Sequence, residues 1–222
     1  MDSQAEQQKE TSITLLKVTS DQVESLRKTA NQNMARASNN RQSTRVRTGV
    51  EVRNRLKPAL PQGYFGNAMF STVTSNCLSG DLLSNPLSYA SGKLREAIER
   101  MTDEYIRSAL DFMTSQKHIG WLRINSHIRG YTNAPFLGNP NMSIVSWINL
   151  PFYDADFGWG KPVYVGPGLL NIDGESFIMP SPVADGSLII ALRLQTQYMD
   201  SFKKFFYEDM DCKEPHAMSA KL

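Results

Sequence analysis

The chain has 222 residues, 41% of them hydrophobic and 21% charged, so it can bury a core of its own and is not disordered as a whole. A net charge of +2 is too small to mark a nucleic-acid-binding surface, and no apolar run approaches the ~20 residues that a membrane span requires. The polar first residues form no secretory core either.

Residues 1–12 and 31–44 are polar and poor in apolar side chains, which predicts mobile segments. Between them Ile13, Leu15 and Lys17-Val18 predict a short strand. Asp21, with Glu24 three residues on, predicts the start of a helix that sets Val23, Leu26 and Ala30 on one face. "RVRTGVEVRNRLKPALPQGYFGN" (45–67) begins as a strand with Val46, Val50 and Val52 in alternation and ends in a Pro/Gly-punctuated loop. "NAMFSTVT" (67–74) predicts a second strand. From Leu87 to about Phe112, apolar residues recur every three or four positions, as in one long amphipathic helical stretch. "SIVSWINLP" (143–151) and "PVYVGPG" (162–168) predict strands, the latter short and closed by a glycine turn. "ESFIMP" and "SLIIALRLQ" flank Asp185-Gly186 as a hairpin, and Met199, Phe202, Phe205 and Phe206 mark a last helix. The sum is an α/β chain: a mixed sheet flanked by helices. It divides into 1–44, a partly flexible segment with one strand and one helix; 45–210, the domain proper; and 211–222, a flexible tail.

"YDADFGWGKP" (153–162) is the densest cluster of chemistry. Asp154 and Asp156, two apart, would share a face on a strand and could form an acid/base pair, which needs one carboxyl with a raised pKa. The Phe-Gly-Trp-Gly that follows is a turn signature. An Asp there more often accepts backbone N–H bonds or pairs with an arginine, and an indole such as Trp159 more often fills a core than faces a reacting centre. His118, His127 and His216 are the only histidines, and none has a partner near in sequence. Spacings for metal ligands, dinucleotides and P-loops are absent, so no metal site or bound cofactor is expected. Arginines 41, 45, 47, 53 and 55 form a basic run without interleaved aromatics, which favours a solvated strand face over a phosphate or nucleic-acid patch. Cys77 and Cys212 argue against a disulfide framework and for a cytoplasmic setting. Ala220-Lys221-Leu222 resembles a peroxisomal address, the alternative being a solvated tail.

The stretches "YDADFGWGKPVYVGPG", "VSWINLP" and "VEVRNRLKPALPQGYFGNAMF" together resemble the plant acyl-CoA-dependent acyltransferases of the BAHD family, in its hydroxycinnamoyl transferase branch. The resemblance spans about residues 45–210, with a weaker match over 13–30. It implies the C-terminal half of a chloramphenicol-acetyltransferase-like fold, with hydroxycinnamoyl-CoA as co-substrate and a small-molecule acyl acceptor. Asp156, Phe157, Gly158, Trp159 and Gly160 then form a structural motif. The resemblance pairs Asp156 with an arginine of "RNR", Arg53 ahead of Arg55.

The departures from the family pattern are equally specific. The HxxxD motif, whose histidine is the family's general base, is missing: the fourth residue after each histidine is Leu122, Tyr131 or Ala220. No catalytic residue is therefore assigned within this chain, and an N-terminal acyltransferase half is the implied partner. A helix resembling SS-[FY]-E-x-L-x-x-H-x-W-R is replaced by the polar run 31–44. Where shikimate- and quinate-using members resemble SW-x-R-L-P, this chain has Ser146-Trp147-Ile148-Asn149-Leu150-Pro151. Asn149 cannot clamp a carboxylate by charge as Arg does. With Trp147 it becomes the expected acceptor wall, suited to an uncharged or cationic acceptor of spermidine type. The competing expectation is a non-catalytic, truncated or decayed fragment.

Overall fold

The computed structural model describes residues 9–30, 42–117 and 138–211. His118, His127, His216, Cys212, Arg41, most of the run 31–44 and the C-terminal tripeptide lie outside them.

Six strands make one mixed sheet in the order β1-β8-β7-β6-β3-β4. They are β1 (Thr11–Val18), β3 (Val46–Glu51), β4 (Met69–Val73), β6 (Met142–Ser146), β7 (Glu175–Pro180) and β8 (Leu188–Gln195). β3, β6 and β7 run parallel, while β4 and β8 pair antiparallel to their neighbours, as does β1 to β8. A two-residue pair, β2 (Ser43–Thr44) with β5 (Cys77–Leu78), stands apart, and Cys77 is buried as a free thiol. The helices are α1 (Ser20–Thr29), α2 (Ser79–Ser84), α3 (Leu87–Glu99), α4 (Asp103–Ser115) and α5 (Thr196–Asp211). The mixed sheet flanked by helices agrees with the expectation, as does the hairpin of β7 and β8.

Strand alternation separates two cores. On one face Val50 and Val52 pack with Ala68, Met101 and Ile106, flanked by Leu56, Leu60, Phe70 and Ile98, so α3 and α4 cover the β3–β4 end. Leu16, Val18 and Leu192 are buried on that same face at the other end, where α5 lies against β1 and β8 and α1 against α5. On the opposite face, Leu170, Met179 and Ala191 pack with Trp147, Phe177 and Ile189.

Four local expectations are corrected. Helix α1 is capped by Thr19, not Asp21: Gln22 N–H donates to Thr19 Oγ1 at 3.2 Å and Thr19 N–H to Gln22 Oε1 at 3.0 Å, a reciprocal box that leaves Asp21 to the first turn. The stretch 87–112 is two helices. At Thr102 the backbone is extended and Oγ1 accepts from Tyr105 N–H at 3.2 Å, which starts α4 afresh. The apolar period survives the break because Met101 fills the same core as Ile98 and Ile106. β6 stops at Ser146, where a turn begins in which Leu150 N–H donates to the Trp147 carbonyl at 3.1 Å. Residues 162–168 form no strand. Pro162 and Pro167 have no N–H to give, and Val165 N–H goes to the Tyr153 hydroxyl at 3.3 Å.

Candidate functional site

Because β3, β6 and β7 are parallel, their carboxyl ends meet at one edge of the sheet, where open α/β sheets place their ligands. Three segments leave from that edge: Val52-Arg53 after β3, Trp147 to Leu150 after β6, and Ser181 after β7.

The segment after β6 leads into the signature turn. Asp156 Oδ1 accepts two backbone amides, Gly158 N–H at 2.8 Å and Gly160 N–H at 3.1 Å. Both glycines have positive φ, 101° and 106°, a region that side chains rarely enter, so the turn needs glycine at both positions. A 3.7 Å ion pair from Lys161 to Asp154 and the Tyr153–Val165 bond close the loop at its base. Asp154 and Asp156 are both exposed and take separate partners, Lys161 for one and the turn amides for the other, rather than the apolar wall an acid/base pair needs. One carboxylate shapes the turn and the other ties its limbs together.

The pairing of Asp156 with Arg53 is not formed. Arg53 instead holds Glu51 at 2.9 Å, donates to the Gly66 carbonyl at 2.6 Å and lies over the Tyr64 ring at 5.9 Å. Glu51 lies two residues back and takes that guanidinium, while Asp156 spends its oxygen on its own turn. Arg55 serves the helices: it donates to the carbonyls of Ile98 and Met101 at 3.0 and 3.3 Å, at the negative end of α3. Nor is Trp159 a core indole. It is 85% exposed and Phe157 76%, their centroids 6.0 Å apart, because the short turn points both rings away from the sheet.

Trp147 packs edge-on against Phe152 and Phe177, with centroids at 5.2 and 4.8 Å, inside the second core cluster. Two positions on, Asn149 is exposed at the sheet edge, so of the two expected acceptor-wall residues it is the one turned outward.

The basic run is dispersed through the structure. Arg47 is half-buried, donates to Ser71 Oγ at 2.9 Å, and has its guanidinium pKa pushed down by burial, partly offset by Glu175. A solvated strand face does not describe it. Asp103 anchors the Pro/Gly loop: it accepts from Lys57 N–H at 2.8 Å and pairs with Arg107 at 2.9 Å, and the Lys57 amide chiefly holds its carboxyl below the usual range. Arg107 also donates to the Lys57 carbonyl at 2.7 Å. Sequence reasoning misses this anchor, although the i,i+4 spacing of Asp103 and Arg107 marks the pair once a helix is assumed. It also misses Asp173, which accepts from Asn139 N–H at 3.2 Å and from Gln195 N–H and Nε2 at 3.1 and 3.0 Å. No spacing signals that cluster, since its members come together only when β8 lies down beside β7.

Among the described residues no group of His, Cys, Asp and Glu could hold a metal ion, and no helix is long and apolar enough to cross a membrane.

Comparison with known proteins matches this geometry to a family. The chain is 48% identical over 178 residues to a hydroxycinnamoyl-CoA:piscidic acid hydroxycinnamoyltransferase of Actaea racemosa, covering 79% of this chain and 39% of the relative. It is 39% identical over 220 residues to a shikimate O-hydroxycinnamoyltransferase of Nicotiana tabacum, covering 90% of this chain and 48% of the relative. The chain thus spans half or less of the length of these relatives. Among solved structures, F. graminearum TRI101 complexed with coenzyme A and deoxynivalenol superposes with a TM-score of 0.71 at 17% identity, over 89% of this chain and 48% of that one, and shares the fold. The model of the Transferase family matches residues 26–209; the chain belongs to that family, the BAHD acyltransferases.

Proposed function

We propose that this chain is the C-terminal half of a hydroxycinnamoyl-CoA-dependent acyltransferase, and that the assembled enzyme moves a hydroxycinnamoyl group from CoA to an amine or alcohol. The observation that carries the reading is the closed DFGWG turn on the same segment as an exposed Asn149, the segment that leaves the carboxyl end of β6. In this reading the half supplies scaffold and acceptor wall. The base that takes the acceptor's proton as it attacks the thioester carbonyl comes from the other half.

The same reading favours a spermidine-type amine over an acid such as shikimate. Asn149 offers one carbonyl acceptor and two N–H donors but no charge, so it can hydrogen-bond an ammonium or hydroxyl and cannot neutralise a carboxylate. The relatives named for piscidic acid and shikimate pull the other way, which makes Asn149 the point to test.

The test joins this chain in frame to the unmatched portion of the Nicotiana tabacum enzyme and supplies feruloyl-CoA with spermidine or with shikimate. The expected result is amide product from spermidine in excess of shikimate ester, reversed by Asn149→Arg. An acceptor preference that Asn149→Arg leaves unchanged removes Asn149 from the reading.

The second reading is a non-catalytic fragment, favoured by the absence of HxxxD from the sequence. Under it the 222-residue chain alone gives no product from feruloyl-CoA and spermidine, and the fused chain gives none either.

A further inference from the structure

The family reading assigns the DFGWG turn a structural role but gives no reason for its two rings to stand in solvent. A motif that served only its own loop would turn Phe157 and Trp159 inward. Instead they are among the most exposed large side chains of the described residues, and Val163, on the returning limb of the same loop, is 88% exposed.

The loop is also prepared to hold them there. Asp156 fixes the amides of Gly158 and Gly160, Lys161 meets Asp154, and Tyr153 takes the Val165 amide. Each of these contacts lies within residues 153–165. A protruding element with fixed backbone and apolar tip loses little conformational freedom on docking, the condition under which aromatic anchors dominate an interface. Lys161 pairs with Asp154 and Asp156 is bonded to the turn amides, which leaves the two rings and Val163 as the apolar part of the tip.

We propose that Phe157 and Trp159 are a docking peg that seats in an apolar pocket of the N-terminal half of the acyltransferase fold. This rests on the reading above that the chain is the C-terminal half. The occupant follows from lengths: the chain covers 39% and 48% of its two relatives and 48% of the matched solved chain, so about half of the fold lies outside it. The peg lies on the same segment as Asn149, the one that leaves the carboxyl end of β6, and that half must approach this segment if Asn149 is to line a shared acceptor site. Two aromatic side chains bury roughly 300–500 Å². That is roughly two-fifths to three-fifths of the about 800 Å² that each partner gives to a standard interface.

The experiment co-expresses the tagged 222-residue chain with the portion of the Nicotiana tabacum shikimate O-hydroxycinnamoyltransferase that it does not match, and measures their affinity by titration after purification. Trp159→Ala and Phe157→Ala are each expected to weaken binding by about 30-fold, the scale of a buried aromatic anchor. Phe205→Ala, an exposed ring on α5, should stay within about twofold, since isolated surface rings carry little binding energy. All three variants should melt with the parent, because none of the rings is buried. Peg variants that bind as tightly as the parent overturn the proposal. So does a parent that forms no complex, or one that instead pairs with itself through the rings. Assaying the parent complex with feruloyl-CoA separates the two ideas. A peg-dependent complex without turnover refutes the activity and keeps the peg. Turnover that survives loss of the rings does the reverse.

Discussion

Replacing Asp156 by alanine removes the one acceptor that holds Gly158 and Gly160 at positive φ. Two hydrogen bonds donated by backbone N–H groups are lost, each worth a net of about 0.5–1.5 kcal/mol, and a charged acceptor strengthens them. Against that, Asp156 is exposed and water takes its place at both amides. The closest measured analogue is the loss of a helix N-cap, so the expected cost is about 1 kcal/mol. In a chain of this size that lowers the melting temperature by about 2–4 °C. Most of the loss should be local. Hydrogen exchange at residues 157–161 should speed up about fivefold, the factor that 1 kcal/mol of local opening carries, while β7 and β8 keep their protection. Asp156→Asn retains an oxygen and should recover at least half of the effect. The decisive control is the double variant with Arg53→Ala. Since Arg53 is engaged with Glu51 and the Gly66 carbonyl, the two costs should add to within about 0.5 kcal/mol. A cost near 3 kcal/mol for Asp156→Ala, with strong non-additivity toward Arg53, would refute this account and restore the arginine partner.

Gly174→Ala should be the most damaging single methyl in the described residues: φ is +78° and the new Cβ would lie 2.5 Å from the Asn141 carbonyl oxygen, so a loss of about 3 kcal/mol or more is expected in chemical denaturation. Thr102→Ala should cost about 1 kcal/mol by the same measurement, because it removes the cap that starts α4, and Thr102→Ser should restore most of it. The Asp103 and Asp185 carboxyls are both held below the usual carboxylate range, by the Lys57 amide and by the Ser187 hydroxyl first among their partners. The unfolded chain therefore binds more protons than the folded one between the two values, so stability rises with pH there. It is fully present above the unfolded value of about 4 and is lost as pH falls through the lower folded ones. Melting curves from pH 6 down should show Asp103→Asn losing less than the parent below about pH 4, and equal losses count against the Lys57–Asp103–Arg107 anchor.

How far the sequence reaches depends on how local each cause is. Strands β1, β3, β4, β7 and β8 and helices α1 and α5 are visible because alternation and the 3.6-residue period act over a few residues. The turn at 153–165 is visible for the same reason, its contacts closing within thirteen positions. The α3–α4 break escapes the period because Met101 satisfies the core on either side of it, and only the Thr102 hydroxyl marks the restart. The strand expected at 162–168 fails because its apolar content does not replace the two N–H donors that Pro162 and Pro167 lack. Trp159 departs for a different reason: an indole usually buries, and nothing in the sequence around it marks it as exposed.

The arginines show the same rule at longer range. Arg53 and Asp156 are 103 positions apart, and bringing them together would have to win against Glu51, which sits two residues away in the same strand exit and reaches the guanidinium at 2.9 Å. Nearness in the chain makes that competitor available without any loop closure. Arg55, pointing the other way, finds the carbonyls that end α3 and α4's approach, Ile98 and Met101, and thereby ties the strand exit to the helical layer. The motif's two halves are thus each stabilised by their own neighbourhood. Asn149, Phe157 and Trp159 lie on the one segment that leaves the carboxyl end of β6, and all three side chains face solvent.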